Sequence, residues 1–164
     1  MTIDSFRSVD QVALVVRDLD AAMERYSVQL GVGPREIYTF SPEWVRRMTF
    51  RGRELGYSMR LGLTEIAGMS YELVEPLTGP STYHEFLDAH GEGLHHLGYM
   101  VDDLEAAIAE MAAAGFPVLQ SGRDYGVDGD GGYAYFETGA ALGCIVEAIE
   151  RPRALPPPER TYPA

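Results

Sequence analysis

The 164-residue chain contains an internal repeat, and a repeat limits the possible folds more than any local preference does. Residues 10–22 align without gaps on residues 95–107. In each copy an apolar run leads through an aspartate, Asp18 or Asp103, into apolar residues at helical spacing. Each copy is therefore predicted to be a strand followed by a helix.

Further strands are predicted after each helix, from stretches rich in aromatic or branched side chains. They are 35–40, 56–63 and 69–75 in the first half, and 117–119, 133–138 and 142–149 in the second. The expected fold class is α+β, with two tandem βαβββ modules that form a curved mixed sheet around a metal-containing cavity. The predicted organisation is a first module at 1–76, a linker at 77–92, a second module at 93–150 and a proline-rich tail at 151–164, extended or disordered.

Four polar residues occupy repeat-equivalent strand positions. Strand residues alternate between faces, so the apolar alternate positions lie under the helices and these four share the opposite face. A single strand His or Glu is usually a satisfied or solvated polar group, but the repeat pairing favours a ligand role. Packing of the modules about a pseudo-twofold axis would bring one nitrogen and several oxygens together, which suits a divalent ion. The predicted metal ligands are Gln11, Glu72, His96 and Glu147.

Charge and hydropathy exclude several partners. A net charge of -12 disfavours nucleic acid and anionic membranes. No apolar run approaches the roughly 20 residues of a membrane span. The N-terminus lacks the pattern of a signal peptide, so a cytoplasmic location is expected.

These segments resemble the vicinal oxygen chelate superfamily, which includes glyoxalase I, methylmalonyl-CoA epimerase, bleomycin-resistance proteins and extradiol dioxygenases. The stretch GLHH at 93–96, followed by VDD at 101–103, is most similar to methylmalonyl-CoA epimerase and its relatives. The order Gln, Glu, His, Glu instead resembles the zinc ligands of eukaryotic glyoxalase I. The resemblance implies that His96, and not His95, is the ligand, and that Glu147 can also act as a base. Strand alternation agrees, since it predicts that His95 points away from the cavity in a structural role.

The resemblance implies a metal-dependent isomerase or lyase that abstracts a proton next to a metal-chelated carbonyl, in the manner of an epimerase or a glyoxalase. The expected cofactor is one divalent ion, Zn, Co, Ni or Mn. Glu147 or Glu72 would be the base, and the substrate would be a small anionic carbonyl compound. The likeness also implies a homodimer.

Substrate contacts are predicted outside the metal set. Strand alternation places Ser58 and Arg60 on the cavity face, opposite Tyr133 and Tyr135, and an arginine there suits a carboxylate or phenolate. The basic stretch 44–53 is either a lid for an anionic substrate or a solvated hairpin. The predicted substrate-binding residues are Arg60, Ser58, Tyr133, Tyr135, Trp44 and Arg47.

Two other functions are compatible with the same fold. A binding or resistance protein would sequester a small molecule without metal. A ring-cleaving dioxygenase would require two histidines and one carboxylate around iron, and only His96 is placed as a histidine ligand, which disfavours that activity.

Overall fold

A computed structural model describes residues 3–163 of the chain, and its strands form one continuous sheet. In chain order the strands are β1 (Gln11–Val15), β2 (Arg35–Phe40), β3 (Arg46–Phe50), β4 (Arg53–Glu54), β5 (Ser58–Ile66), β6 (Met69–Thr78), β7 (Gly93–Met100), β8 (Val118–Tyr125), β9 (Gly131–Phe136), β10 (Ile145–Glu150) and β11 (Arg160–Tyr162). The helices are α1 (Leu19–Leu30), α2 (Thr82–His90), α3 (Leu104–Ala113) and α4 (Gly139–Leu142).

The sheet is built from two βαβββ units joined at its centre. The first unit contributes the strand order β2-β5-β6-β1 and the second contributes β7-β10-β9-β8. In each unit the first strand pairs in parallel with the last, and the two first strands, β1 and β7, pair antiparallel with each other. This arrangement confirms the predicted α+β class with two tandem modules in a mixed sheet.

The long helices α1 and α3 cover the outer face of the sheet in equivalent ways. Asp18 accepts a hydrogen bond from Ala21 N at 2.9 Å, and Asp103 accepts one from Ala106 N at the same distance. Each aspartate thereby satisfies an amide that the first helical turn leaves free. The buried faces of α1 and α3 pack on separate apolar clusters beneath the two units. No helix within residues 3–163 is long and apolar enough to cross a membrane.

The basic stretch 44–53 forms the hairpin of β3 and β4, and its arginines are exposed, as in the second of the two expected forms. It contains β3, which pairs antiparallel with β8 and so extends the sheet of the second unit with a strand from the first. Met48 and Phe50 are buried in the core of the concave side. Because β3 of the first unit pairs with β8 at the far edge of the second unit, the sheet curves around an internal cavity. Tyr83 and Leu87 of α2 pack on the same concave core.

The proline-rich tail crosses the cavity mouth in extended form and ends in β11, which pairs with β2. We call residues 151–159 the strap. Prolines lack an N–H donor and favour extended chain, so this segment makes few ladder bonds. Two backbone hydrogen bonds of 2.9 Å hold it, from Val127 N to Ala154 O and from Glu159 N to Ile37 O. Of the two expected states, the extended one is found.

The strap packs closely against Gly126, which has a φ of +92°. A Cβ added there would lie 2.4 Å from Pro152 Cβ, closer than two carbon atoms can approach. We expect Gly126→Ala to lower the free energy of unfolding by about 2–4 kcal/mol in chemical denaturation, from backbone strain plus overpacking. Gly129→Ala is the matched control, since its φ is +67° but its Cβ would approach no atom closer than 3.7 Å. Equal losses in both variants would show that the Pro152 contact adds nothing.

Candidate metal centre

The four predicted ligands come together on four adjacent strands at the centre of the sheet. Gln11 begins β1, Glu72 lies on the neighbouring β6, His96 lies on β7 and Glu147 lies on β10. All four are buried, with His96 fully enclosed. The side chains of Gln11, Glu72 and Glu147 line the concave cavity.

The distances within this cluster suit the edges of a coordination shell. His96 Nε2 lies 3.1 Å from Glu147 Oε2 and 3.4 Å from Glu72 Oε2. Donors about 2.1 Å from a divalent ion are about 3.0 Å apart in octahedral geometry and about 3.4 Å apart in tetrahedral geometry. His96 Nε2 and Glu147 Oε2 are both buried without a hydrogen-bond partner among the described residues. Buried polar atoms are normally paired, so the cluster fits a cation between these atoms.

Gln11 joins the cluster through its amide nitrogen, which donates to Glu72 Oε2 at 2.9 Å. Rotation of the amide would present its oxygen instead. Within residues 3–163, no group of three or more His, Cys, Asp or Glu side chains has the arrangement of a metal site as it stands. The carboxylates contact His96 directly and Gln11 presents its nitrogen, so binding of an ion requires these side chains to reorient.

Gly98 leaves space at the floor of the site and was not predicted to have a role there. It pairs with Gln11 on one side and with Glu147 on the other. A Cβ at this position would lie 2.8 Å from Gln11 Cβ and 2.9 Å from Ile149 Cδ1. A glycine inside a strand often marks such a close approach, and this is the signal that could have identified Gly98.

His95 does not point away from the cavity side, as alternation predicted. β1 pairs Ala13 with His96 and Leu14 with Leu94, so His95 is the extra residue of a β-bulge. A bulge shifts the alternation by one position. The ring of His95 consequently packs on the same side as His96, beside aromatic rings of α2 and β9, namely Tyr83, Phe86 and Tyr135.

The two histidines are joined by a direct hydrogen bond, with 2.7 Å between their Nδ1 atoms. One of these nitrogens must carry the proton, because two lone pairs would repel. If His96 donates from Nδ1, its Nε2 is left to the carboxylates, and His95 carries its own proton on Nε2. That nitrogen lies 3.3 Å from Thr82 Oγ1, which can accept the proton's hydrogen bond. Both nitrogens of His95 are thus engaged, so two histidine ligands of the dioxygenase kind are not formed.

Burial and charge shift the pKa values of the cluster. Burial lowers the pKa of His95 well below its usual 6.5, and the neighbouring His96 adds to this effect. For His96, burial also acts to lower the pKa, but the charges of Glu147 and Glu72 outweigh it and raise the value to about 9. Burial raises the pKa of Glu72. At neutral pH the cation-free cluster therefore holds a proton that a metal ion would displace.

The cavity above the cluster has a volume of about 630 Å³, and its walls combine aromatic and aliphatic side chains with polar ones such as Glu36 and Arg151. Its aromatic lining consists of Tyr38, Phe40, Tyr83, Tyr125, Tyr133 and Tyr135, which places the predicted Tyr133 and Tyr135 in the wall. The hydroxyls of Tyr83 and Tyr135 are hydrogen-bonded at 2.8 Å. Burial raises the pKa of both phenols well above 10, so they remain protonated.

Ser58 and Arg60 do not face the cavity, contrary to the prediction. Met59 and Leu61 line it instead, so the residues between and before them point outward. Arg60 forms ion pairs with Asp20 and Glu75 at 3.2 and 3.1 Å. The apolar side chains of β5 thus supply an aliphatic part of the wall.

Trp44 and Arg47 also lie outside the cavity lining. The Trp44 ring packs 4.4 Å from the ring of Phe40, behind the wall. Arg47 hydrogen-bonds to Asp124 through Nε at 2.9 Å and is largely exposed at the β3–β8 edge. Neither side chain lines the cavity, and their contact with substrate stays a prediction.

The strap residues that line the mouth were missed from the sequence. A signal was available in the last strand. Glu147, Ile149 and Arg151 occupy alternate positions, and all three line the cavity. Continuing the alternation beyond the strand would have placed Arg151 at the mouth.

Comparisons with known proteins agree with this fold. The model of the Glyoxalase/Bleomycin resistance protein/Dioxygenase superfamily matches residues 10–136. The uncharacterized protein YqjC of Bacillus subtilis is 27% identical over 86 residues, which is 52% of this chain and 61% of that protein. The match therefore spans less than two thirds of that relative.

Solved structures of similar fold include methylmalonyl-CoA epimerases. A variant of the Streptomyces coelicolor enzyme with bound 2-nitronate-propionyl-CoA has a TM-score of 0.66 at 20% identity, covering 93% of this chain and 100% of that one. The Mycobacterium tuberculosis epimerase has a TM-score of 0.60 at 24% identity, covering 93% of each chain. At these identities the likeness shows the fold. With the family match over most of its length, the chain belongs to the Glyoxalase/Bleomycin resistance protein/Dioxygenase superfamily.

Proposed function

We propose that the protein is a metal-dependent isomerase or lyase that removes a proton from a carbon next to a metal-chelated carbonyl, in the manner of an epimerase or a glyoxalase. The observation that supports this most directly is the buried pair His96 Nε2 and Glu147 Oε2, 3.1 Å apart at the cavity floor, neither of which has a hydrogen-bond partner outside the cluster. With Gln11 and Glu72 they offer one nitrogen and several oxygens to a single divalent ion, Zn, Co, Ni or Mn. Such an ion would chelate two neighbouring substrate oxygens and stabilise the enolate.

Glu147 is the proposed base. Its Oε2 contacts His96 Nε2 and no hydrogen-bond partner outside the cluster, whereas Glu72 Oε2 also accepts from Gln11 Nε2. The less restrained carboxylate is the one free to turn toward a substrate proton. Glu72 lies across His96 in the other unit, and could return the proton on the opposite face in an epimerisation.

A phenol of the cavity wall supports the same chemistry. In the Tyr83–Tyr135 pair one hydroxyl donates to the other, and the second proton has no acceptor among the described residues. That hydroxyl can donate to a substrate oxygen on which negative charge develops. The raised pKa values of both phenols keep the donor available at neutral pH.

The structural neighbours support an acyl compound as substrate. One methylmalonyl-CoA epimerase has been solved with methylmalonyl-CoA and NH4+, at a TM-score of 0.66 and 19% identity. We infer for this chain a small anionic carbonyl compound, without extending that neighbour's substrate to it.

Metal analysis and isotope exchange test the proposal together. The purified chain, incubated with Zn, Co, Ni or Mn and then dialysed, is expected to retain about one ion per chain. Methylmalonyl-CoA and small 2-oxo acids in D₂O then serve as probes, and one class should exchange its carbon-bound proton only with metal present. Failure to retain any of the four ions would contradict the proposed centre.

Ligand binding without chemistry is a second candidate, because six aromatic side chains line the cavity. Such a cavity suits an apolar guest whether or not an ion is bound. Tight binding of aromatic compounds by metal-free protein, with no gain on adding metal, would favour this function over catalysis.

His95 is expected to affect metal affinity, because its Nδ1 orients the ring of His96. We predict that His95→Leu weakens zinc affinity by about 10–100-fold in competition with a chelator, as loss of an outer-shell partner typically does. His95→Gln keeps an acceptor for His96 Nδ1 and should recover part of the loss. Chemical denaturation would identify general unfolding. Parental affinity in the leucine variant would leave His95 with a packing role alone.

A further inference from the structure

The last strand of the sheet leads directly from the metal cluster to the cavity mouth. Glu147, Ile149 and Arg151 alternate along the chain and all three line the cavity. At about 3.3 Å per residue, the Cα atoms of Glu147 and Arg151 are about 13 Å apart. Arg151 thus stands at a set distance from the proposed base, with the apolar Ile149 between them on the wall.

The strap holds the backbone of Arg151 in place. The next residue, Pro152, is buried against Gly126, and Ala154 O accepts a hydrogen bond from Val127 N at 2.9 Å. The chain at the mouth is therefore tied to the turn between β8 and β9, while the Arg151 side chain remains exposed.

Arg151 differs from the other strap arginine in its charge partners. Arg153 is paired with Asp130 at 2.8 Å and with Asp128 at 3.4 Å. Arg151 forms no ion pair with any of the described residues 3–163. Glu36 and Glu65 line the cavity as well, so an anion would be repelled near them and favoured near Arg151.

We propose that Arg151 binds the anionic group of the substrate, and that the substrate class is a carbonyl compound with an apolar or aromatic body and a carboxylate at its far end. This inference rests on the proposed function, because the metal centre holds the carbonyl end. The aromatic and aliphatic side chains of the wall contact the body of the substrate. At the mouth, the guanidinium of Arg151 donates hydrogen bonds to the carboxylate. The distance between Glu147 and Arg151 then sets the length of substrate that can reach the metal centre and Arg151 together.

The test uses metal chelators of graded length on the zinc-loaded full chain. Monohydroxamates of adipic, suberic and sebacic acids present two neighbouring oxygens to the metal and a carboxylate at the other end. Their methyl esters are neutral matched ligands. Calorimetry is expected to show about tenfold tighter binding of the acid than of its ester at the fitting length, as expected for a hydrogen-bonded charge pair.

Arg151→Gln should abolish this preference and leave ester affinity unchanged, and Arg151→Lys should keep part of it. Arg25→Gln is the control that should retain the full preference, because Arg25 pairs with Glu92 away from this cavity. Equal binding of acid and ester at every length, or a preference that survives in Arg151→Gln, would overturn the role of Arg151 while the metal centre stands. Absence of hydroxamate binding altogether would overturn the proposed function, and this inference with it.

Discussion

Replacement of Glu147 by glutamine is expected to lower turnover by about 10²–10⁴-fold while the protein keeps its metal. Glutamine has nearly the same volume and retains an oxygen donor, but it cannot accept the substrate proton. The carboxylate it replaces is buried at the cavity floor, with an unpartnered Oε2. Turnover is measured as metal-dependent deuterium exchange into the probe that the parent enzyme accepts, alongside metal content.

Glu72→Gln is the matched control for Glu147→Gln. Both residues are buried beside His96 Nε2, but Glu72 is already held by Gln11. Its glutamine variant should keep metal and lose less turnover. Full activity in Glu147→Gln with loss in Glu72→Gln would transfer the role of base to Glu72. Full activity in both, with metal still required, would discard proton abstraction.

Alanine in place of His96 should abolish metal retention, with apparent zinc affinity falling by at least about 10³-fold. The substitution removes the one nitrogen of the site, which lies within 3.4 Å of both carboxylates. His90→Ala is the control, because that histidine is exposed at the end of α2. Competition with a chelator of known affinity provides the measurement. Retention of zinc by His96→Ala would refute the site.

Metal uptake by the parent should also depend on pH in a definite direction. The pKa of His96 is raised to about 9 in the cation-free cluster, because the facing carboxylates outweigh burial. Below that pH a proton must leave before Nε2 can bind an ion, so zinc affinity should rise about tenfold per pH unit from pH 6 to 8. Titration in weakly buffered solution is expected to show about one proton released per ion. Uptake without proton release would contradict a protonated His96.

The meeting of Gln11, Glu72, His96 and Glu147 could be predicted because strand alternation holds at these four positions. α1 and α3 cover one side of the central strands, so apolar residues mark that side and polar residues mark the other. The repeat then identified equivalent positions in the two units. The Asp18 and Asp103 caps, which adopt nearly the same geometry, show how closely the units correspond.

Strand alternation gave the wrong side-chain direction where that direction depends on contacts with other strands. At His95 one bulge residue shifts the pattern, and no local signal marked it. For Ser58 and Arg60 the pattern showed that they share a face but not which face meets the cavity. The choice was decided by the apolar wall, which Met59 and Leu61 complete, and by the ion pairs of Arg60 outside.

The sequence by itself determined the repeat, the helix starts and the four polar positions that meet in the sheet, because each depends on residue spacing within a few turns or strands. Only the tertiary structure decided that β3 joins the far edge of the second unit and that the strap crosses the mouth to reach β2. These two pairings join strands that are distant along the chain. Each strand pairs with a sheet edge that the rest of the fold leaves open, so local sequence does not determine the partner. The placement of Arg151 over the cavity follows from that path.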